Sequence, residues 1–248
     1  MAYYIDDRTA LENGKIINDS AEVLAPISPS YQYKTVTIGT QTWMAENLKE
    51  TRFRDGTPIP SIQGLGSATD WTNATVGAYC MYPTEGIVIP LHPLNGEFYG
   101  YIYNWEAAAN GTADCSDTDY GGLAPEGWHV PTDAEWTTLE DYVDDTEWPN
   151  NLCASMLADR KDLWETADTT LIDSSEFGTS GFNVLPAGTR NAFSGEYGGM
   201  SEFSYFWSSS ELDSSDAWAR KLYYYGTDVS RNNYDKLAGF SVRCIKDV

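Results

Sequence analysis

The chain has 248 residues, enough for one large domain or two small ones, and carries fifteen basic against thirty-seven acidic residues, a net charge of −22. Such a surface repels phosphate, so nucleic acid and anionic membranes are not expected partners, and no apolar run approaches the ~20 residues of a membrane helix. Nine Trp and seventeen Tyr are a heavy aromatic load, suited to a core or to a sugar- or protein-binding face.

In chain order, residues 1–32 differ from the rest. They hold few aromatics beyond Tyr3 and Tyr4 and end in Pro26, Pro29 and Ser30. They read as a leader or attachment segment with a linker, able to build a homo-oligomer, or as a disordered tail. The start, Met1-Ala2-Tyr3-Tyr4-Ile5-Asp6-Asp7, lacks the basic and apolar regions of a secretory signal. From Tyr33 the pattern changes: Thr35-Val36-Thr37-Ile38, Gly39-Thr40 and Gln41-Thr42-Trp43-Met44 read as a hairpin with a two-residue turn. Strands are also expected at Gly77–Tyr82 and in the run from Tyr99, which leads into a short helix at Trp105–Ala108.

Thr132-Asp133-Ala134-Glu135 is a capping box, with the Thr132 hydroxyl and the Glu135 carboxylate each satisfying an orphan backbone donor. Trp136, Leu139, Tyr142 and Val143 follow at helical spacing as an apolar face. A second helix is expected over Leu152–Lys161, and strands over Phe182–Pro186, Tyr205–Ser208, Ala217–Arg220 and Phe240–Arg243. Two helices among many short strands predict an α+β fold.

The C-terminal stretch has the composition of a recognition surface. Of the twenty-three residues from Asp213 to Asp235, thirteen are Tyr, Ser, Asn or Asp, the stiff aromatics and short adaptable polar groups found in antibody-like paratopes. The same residues also make ordinary loops. The predicted ligand-binding residues are Asp216, Trp218, Tyr223, Tyr224, Tyr225, Asp228, Ser230, Asn232, Asn233, Tyr234 and Asp235, with Trp218 supporting the others from the sheet.

A set of blocks occurs in one order: Thr37 to Leu48, Gly77-Ala78-Tyr79-Cys80, Tyr103-Asn104-Trp105, Pro125 to Trp136, Gly181-Phe182-Asn183, Leu185-Pro186-Ala187-Gly188, Phe206-Trp207-Ser208-Ser209 and Gly239 to Cys244. From Tyr33 to its end the chain resembles the Fibrobacter succinogenes major paralogous domain. The resemblance divides the chain into residues 1–32 and a domain over 33–248. It implies a C-type-lectin-like fold, with two helices around a small twisted antiparallel sheet and long loops, related to formylglycine-generating-enzyme-like domains. It also implies a place on a bacterial surface or phage virion. Some relatives are variable proteins of diversity-generating retroelements, in which adenines of a C-terminal repeat are randomised. Randomised Asn codons encode Tyr, Ser, Asp and Asn but never Trp or Lys, so Tyr223 to Asp235 fits that chemistry while Trp218, Lys221 and Lys236 would be scaffold. Many relatives carry Cys where this chain has Ala124, which leaves the partner of Cys244 open, with Cys115 a candidate.

Catalytic and metal readings are weaker. His129, within the Pro125–Trp136 block, is expected to be structural, packing or bonding a backbone carbonyl; His92 lies in a Pro-rich loop. The cysteines Cys80, Cys115, Cys153 and Cys244 are far apart, form no Cys-x-x-Cys pair and allow two disulfides in three pairings, or none. Asp114, Asp117 and Asp119, or Asp144, Asp145 and Glu147, could hold a structural calcium, although neither run has an EF-hand spacing. The expected function is non-catalytic recognition of a protein or glycan on another cell, with no cofactor. A fibre or phage-tail adhesion tip of fixed specificity is the alternative, and a carbohydrate-active enzyme a remote one.

Overall fold

A computed structural model describes residues 31–63, 68–83, 95–110, 122–144 and 151–248. The chain divides into two units, Met1–Tyr31 and Gln32–Val248. The attachment and oligomer roles expected of residues 1–32 fall almost wholly outside the described residues.

The elements in order are β1 (Thr35–Ile38), β2 (Gln41–Met44), α1 (Ala68–Thr72), β3 (Tyr79–Cys80), α2 (Asn95–Tyr99), β4 (Ile102–Tyr103), α3 (Trp105–Ala109), β5 (Trp128–His129), α4 (Asp133–Asp144) and α5 (Cys153–Leu157). They continue with β6 (Ala187–Arg190), β7 (Tyr197–Met200), β8 (Phe203–Glu211), β9 (Asp216–Tyr223), β10 (Ser230–Asp235), β11 (Phe240–Ser241) and β12 (Ile245–Lys246). One sheet has the order β1-β2-β12-β5. The larger runs β10-β9-β8-β11-β4-β3, with β6 also on β8 and β7 on β6. The fold is therefore mixed α and β, as expected, with two departures. The large sheet has eight strands and is not wholly antiparallel: β11 and β6 both run parallel to β8, through Ser241 opposite Phe206 and Gly188 opposite Ser204. There are also more than two helices, although of the described ones only α4 exceeds five residues.

The hairpin forms as read. Its register sets Ile38 opposite Gln41 across Gly39-Thr40, and Gly39 takes φ +60°. A Cβ there would also lie 2.8 Å from the Tyr142 ring, so glycine is required twice over. That contact explains Tyr142, which is half-exposed rather than on the buried stripe of Trp136, Leu139 and Val143. The capping box is present: the Glu135 amide donates to Thr132 Oγ1 at 3.2 Å and the Thr132 amide to Glu135 Oε2 at 2.8 Å.

Two expected elements are cut short by tertiary pairing. The second helix stops at Leu157 because Ala158 turns extended and bridges Val184, and the Asp159 amide donates to the Val184 carbonyl at 2.9 Å. The strand expected over Phe182–Pro186 is reduced to that single bridge, since Asn183 sits in the left-handed region at φ +63° and Pro186 brings no N–H.

The aromatic load is mostly core. Trp43, Trp136, Phe182 and Phe206 pack edge-on or tilted at centroid separations of 4.9–5.9 Å. Buried indole N–H groups find backbone carbonyls: Trp105 donates to Ser208, Trp207 to Tyr103 and Trp71 to Leu237, at 2.7–3.0 Å. Arg243 is fully buried against the Phe182 and Phe206 rings and donates to the carbonyls of Phe182 and Asn183 and to Asn47 Oδ1. Burial lowers its guanidinium to about 9. Asn47 in turn donates to the Tyr99 carbonyl and Ser241 Oγ. Three of the blocks that carry the family resemblance, those of Asn47, of Phe182 and Asn183, and of Ser241 and Arg243, thus meet in one interior knot.

Candidate functional site

The C-terminal stretch is built on three antiparallel strands. β9 pairs with β8 on one side and with β10 on the other, and β10 is the outer edge. The stretch read as a polar binding surface is therefore partly a strand, Ser230–Asp235, which pairs residue by residue with Lys221 back to Asp216. Side chains alternate along strands, so the register sorts them onto two faces. Phe203, Tyr205, Lys221, Tyr223, Ser230, Asn232 and Tyr234 share one; Phe206, Trp218, Arg220, Arg231, Asn233 and the pair Asp216 and Asp235 share the other.

The second face lies under α4. Arg220, fully buried, bridges Glu140 and Asp133 and also donates to Thr137 Oγ1 at 3.1 Å. Arg231 makes a forked pair with the same Asp133 at 2.8–3.1 Å. Burial pushes the Asp133 carboxyl up, but the hydrogen bonds from Arg231 and Arg220 outweigh it and hold the group below its ordinary range. At Glu140 burial wins over the Arg220 charge and raises the carboxyl. The Arg231 guanidinium lies flat over Trp218, 3.5 Å from the ring centroid. Asn233 donates to Asp216 Oδ2 at 2.9 Å, and the Asp235 carboxylate accepts the Leu237 amide at 2.8 Å. On this face the polar groups are engaged with one another.

The first face is different. Its rings form a continuous patch: Tyr205 stacks on Phe240 at 4.6 Å and meets Tyr234 edge-on at 5.4 Å and Phe203 at 6.0 Å; beyond Phe203, Tyr225 lies 6.5 Å away and Tyr223 a further 4.6 Å. Tyr205, Tyr223 and Tyr234 are half-buried, and Tyr225 is 47% exposed. Lys221 stands in the middle, with Nζ 4.2 Å from the Phe203 centroid, 5.3 Å from Tyr205 and 5.5 Å from Tyr223. No carboxylate of the described residues lies within ion-pair distance of it. Desolvation lowers its ammonium below the ordinary lysine value.

The loop between β9 and β10 is fastened at three backbone points. The Tyr224 amide donates to Glu202, the Leu171 amide to Tyr224 and the Ala154 amide to Thr227, at 2.8–3.3 Å. The Tyr223 hydroxyl donates to both Asp228 oxygens at 2.9 and 3.0 Å. Tyr224 turns the other way and packs against the core of α4 and α5.

The predicted site residues thus separate. Tyr223, Tyr225, Asp228, Ser230, Asn232 and Tyr234 gather at the aromatic patch and its margin; Asp216, Trp218, Asn233 and Asp235 lie on the α4 side; Tyr224 is committed to the core. Three residues of the patch escaped the sequence reading: Phe203, Tyr205 and Lys221. The signal was available, since Lys221 and Tyr223 are in phase along one strand, as are Phe203 and Tyr205 along the other.

His129 has carboxylate partners rather than the expected carbonyl: Nε2 lies 2.9 Å from Glu135 and Nδ1 2.7 Å from Asp247. The Glu135 hydrogen bond, chiefly, raises its pKa. It belongs to β5, in the other sheet. Cys80, Cys153 and Cys244 are buried free thiols, so Cys244 lacks a disulfide partner, and Ala124 shares its core cluster. Among the described residues no group of three or more His, Cys, Asp or Glu is placed to hold a metal ion. Asp114, Asp117, Asp119, Asp145 and Glu147, as well as Cys115 and His92, lie outside the described residues. Among the described residues no helix is long and apolar enough to cross a membrane.

Searches of curated proteins and of solved structures find no match to this chain. Residues 36–246 match the Fibrobacter succinogenes major domain, and the chain belongs to that family.

Proposed function

We propose that this chain is a non-catalytic recognition protein that binds a ligand on another cell through the aromatic face of β8, β9 and β10. Its scaffold is C-type-lectin-like in this reading, displayed on a cell surface or a phage virion. The observation that carries the proposal is a rigid frame with an adaptable edge. Of the β10 side chains Tyr234 packs against the core at Phe240, while the strand is otherwise held by its backbone pairing with β9 and by the Arg231–Asp133 and Asn233–Asp216 contacts. Ser230, Arg231, Asn232 and Asn233 point outward or sit partly open, so they can change without rebuilding the core. That arrangement also supports retroelement diversification of Tyr223 to Asp235.

Two measurements test the reading. In sibling isolates, variation should concentrate at Tyr223, Tyr225, Ser230, Asn232 and Tyr234, beside a reverse-transcriptase gene and a near-identical repeat; a fixed surface in all siblings argues for a single inherited specificity. Replacing Tyr223, Tyr225 and Tyr234 with Ala should abolish binding on a glycan and protein array, with near-ultraviolet dichroism from the core Trp retained. Unchanged binding by this variant would place the site elsewhere. Tyr224 is left intact because its ring belongs to the core.

A further inference from the structure

A cation within a ring-lined surface is usually matched by a carboxylate, and this chain has acids to spare. On the α4 side of the same strands, Arg220 takes two and Arg231 shares one of them. Lys221 has rings on three sides, no acid in reach among the described residues and a half-buried position. Its Nζ has three donors, and the rings accept only weakly. The geometry points to an anionic sugar as the ligand of this face: a hexose ring lying against Tyr223 and Tyr225, with its carboxylate on Lys221. This inference rests on the recognition reading above and adds the substrate class.

Three features favour a carboxylated sugar. The rings are broad and flat, and their faces suit the C–H face of a pyranose, while Ser230 and Asn232, beside them on β10, offer short donors and acceptors for ring hydroxyls. The charge complementarity is local and single: one ammonium within a chain of net charge −22 accepts one carboxylate, while long-range repulsion opposes polyanions such as acidic peptides or clustered sulfates. A carboxylate would also give the partly desolvated ammonium the charge-assisted hydrogen bonds that it lacks.

The test titrates the full chain with methyl β-glucuronide and methyl α-galacturonide, their neutral hexoside counterparts and N-acetyl-glutamate amide. The Lys221 Cε–Hε correlation is followed by nuclear magnetic resonance. At least one uronide should bind about tenfold or more tighter than its neutral counterpart, the scale of one hydrogen bond to a charged group, and should shift the Lys221 and Tyr223 signals. Lys221→Met, which keeps the stem and removes the charge, should erase that preference, while Lys221→Arg should keep it. Equal binding of uronide and neutral hexoside, no binding of either uronide, or tighter binding of the glutamate probe each overturns the inference. Outcomes also separate it from the broader reading. If the Tyr223, Tyr225 and Tyr234 variant loses its array ligand while Lys221→Met keeps full affinity for it, the face is a recognition surface but not one for acids. If neither variant loses binding, both readings fall.

Discussion

Arg220 and Lys221 are adjacent in sequence and point to opposite faces of one strand, and their surroundings differ in every physical respect. Arg220 is fully buried with Asp133, Glu140 and Thr137 around it. Lys221 stands half-open among rings, with no counter-charge among the described residues. The difference teaches where this chain spends its polar chemistry. Beneath α4 every cation has an acid, and the pairing fixes the helix to the sheet. On the far side the ammonium has rings around it and, among the described residues, no carboxylate within ion-pair distance.

That contrast makes graded predictions. Arg220→Met should have the largest effect: it leaves Glu140 without its partner under the helix and takes one of the two arginines from Asp133, and should cost about 3–5 kcal/mol, read as a fall in the urea midpoint. Phe206→Ala, which empties a ring from the core on the same face, should cost a similar ~3–5 kcal/mol. Trp218→Ala, which removes the surface that Arg231 covers, should cost about 1 kcal/mol or less, since the guanidinium is partly exposed and keeps its Asp133 pair. Lys221→Met should change stability by about 0.5 kcal/mol or less in either direction, losing ring contacts but no ion pair. If Arg220→Met and Lys221→Met had equal effects, the two faces would not differ as described.

His129 gives the smallest signal. Its folded pKa is raised above the ordinary histidine value by Glu135, then Asp247, so its stabilisation is complete below that ordinary value and is lost as pH rises through the raised one. The gap in stability between the parent chain and His129→Gln should therefore be wider near about pH 6 than near about pH 9. With the side chain 36% exposed, solvent screening keeps that gap small.

Much of the framework was legible because it is written in local chemistry. Gly39 in a two-residue turn, Thr132 with Glu135 at a helix start and the Trp136, Leu139, Val143 stripe each depend on neighbours a few residues away. What escaped depends on distant partners. The helix ends at Leu157 where Ala158 bridges Val184, and the strand expected before Ala187 shrinks to that same bridge between a left-handed Asn183 and Pro186. Strand β10 was read as a polar surface because Asn and Asp are poor strand formers; its pairing with β9 overrides that propensity. The site was legible as composition but not as geometry. A list of tyrosines could not show that Tyr224 turns inward, that Trp218 is roofed by Arg231 or that Lys221 stands at the centre. Alternation was the missing step, and it required knowing which residues were strand.

The three free cysteines of the described residues divide among the interior without repetition: Cys244 in the cluster with Trp105 and Trp207, Cys153 in that of α4 and α5, and Cys80 in that of Trp71 and Tyr99. Each is buried, and burial raises each thiol, so none reacts until its own surroundings open. The chain therefore carries one native chemical clock per core. In a Cys115→Ser background, pulsed alkylation with mass readout would time the opening of each separately. Three matching rates would describe a body that loosens all at once, and three different rates would rank which part of the interior yields first.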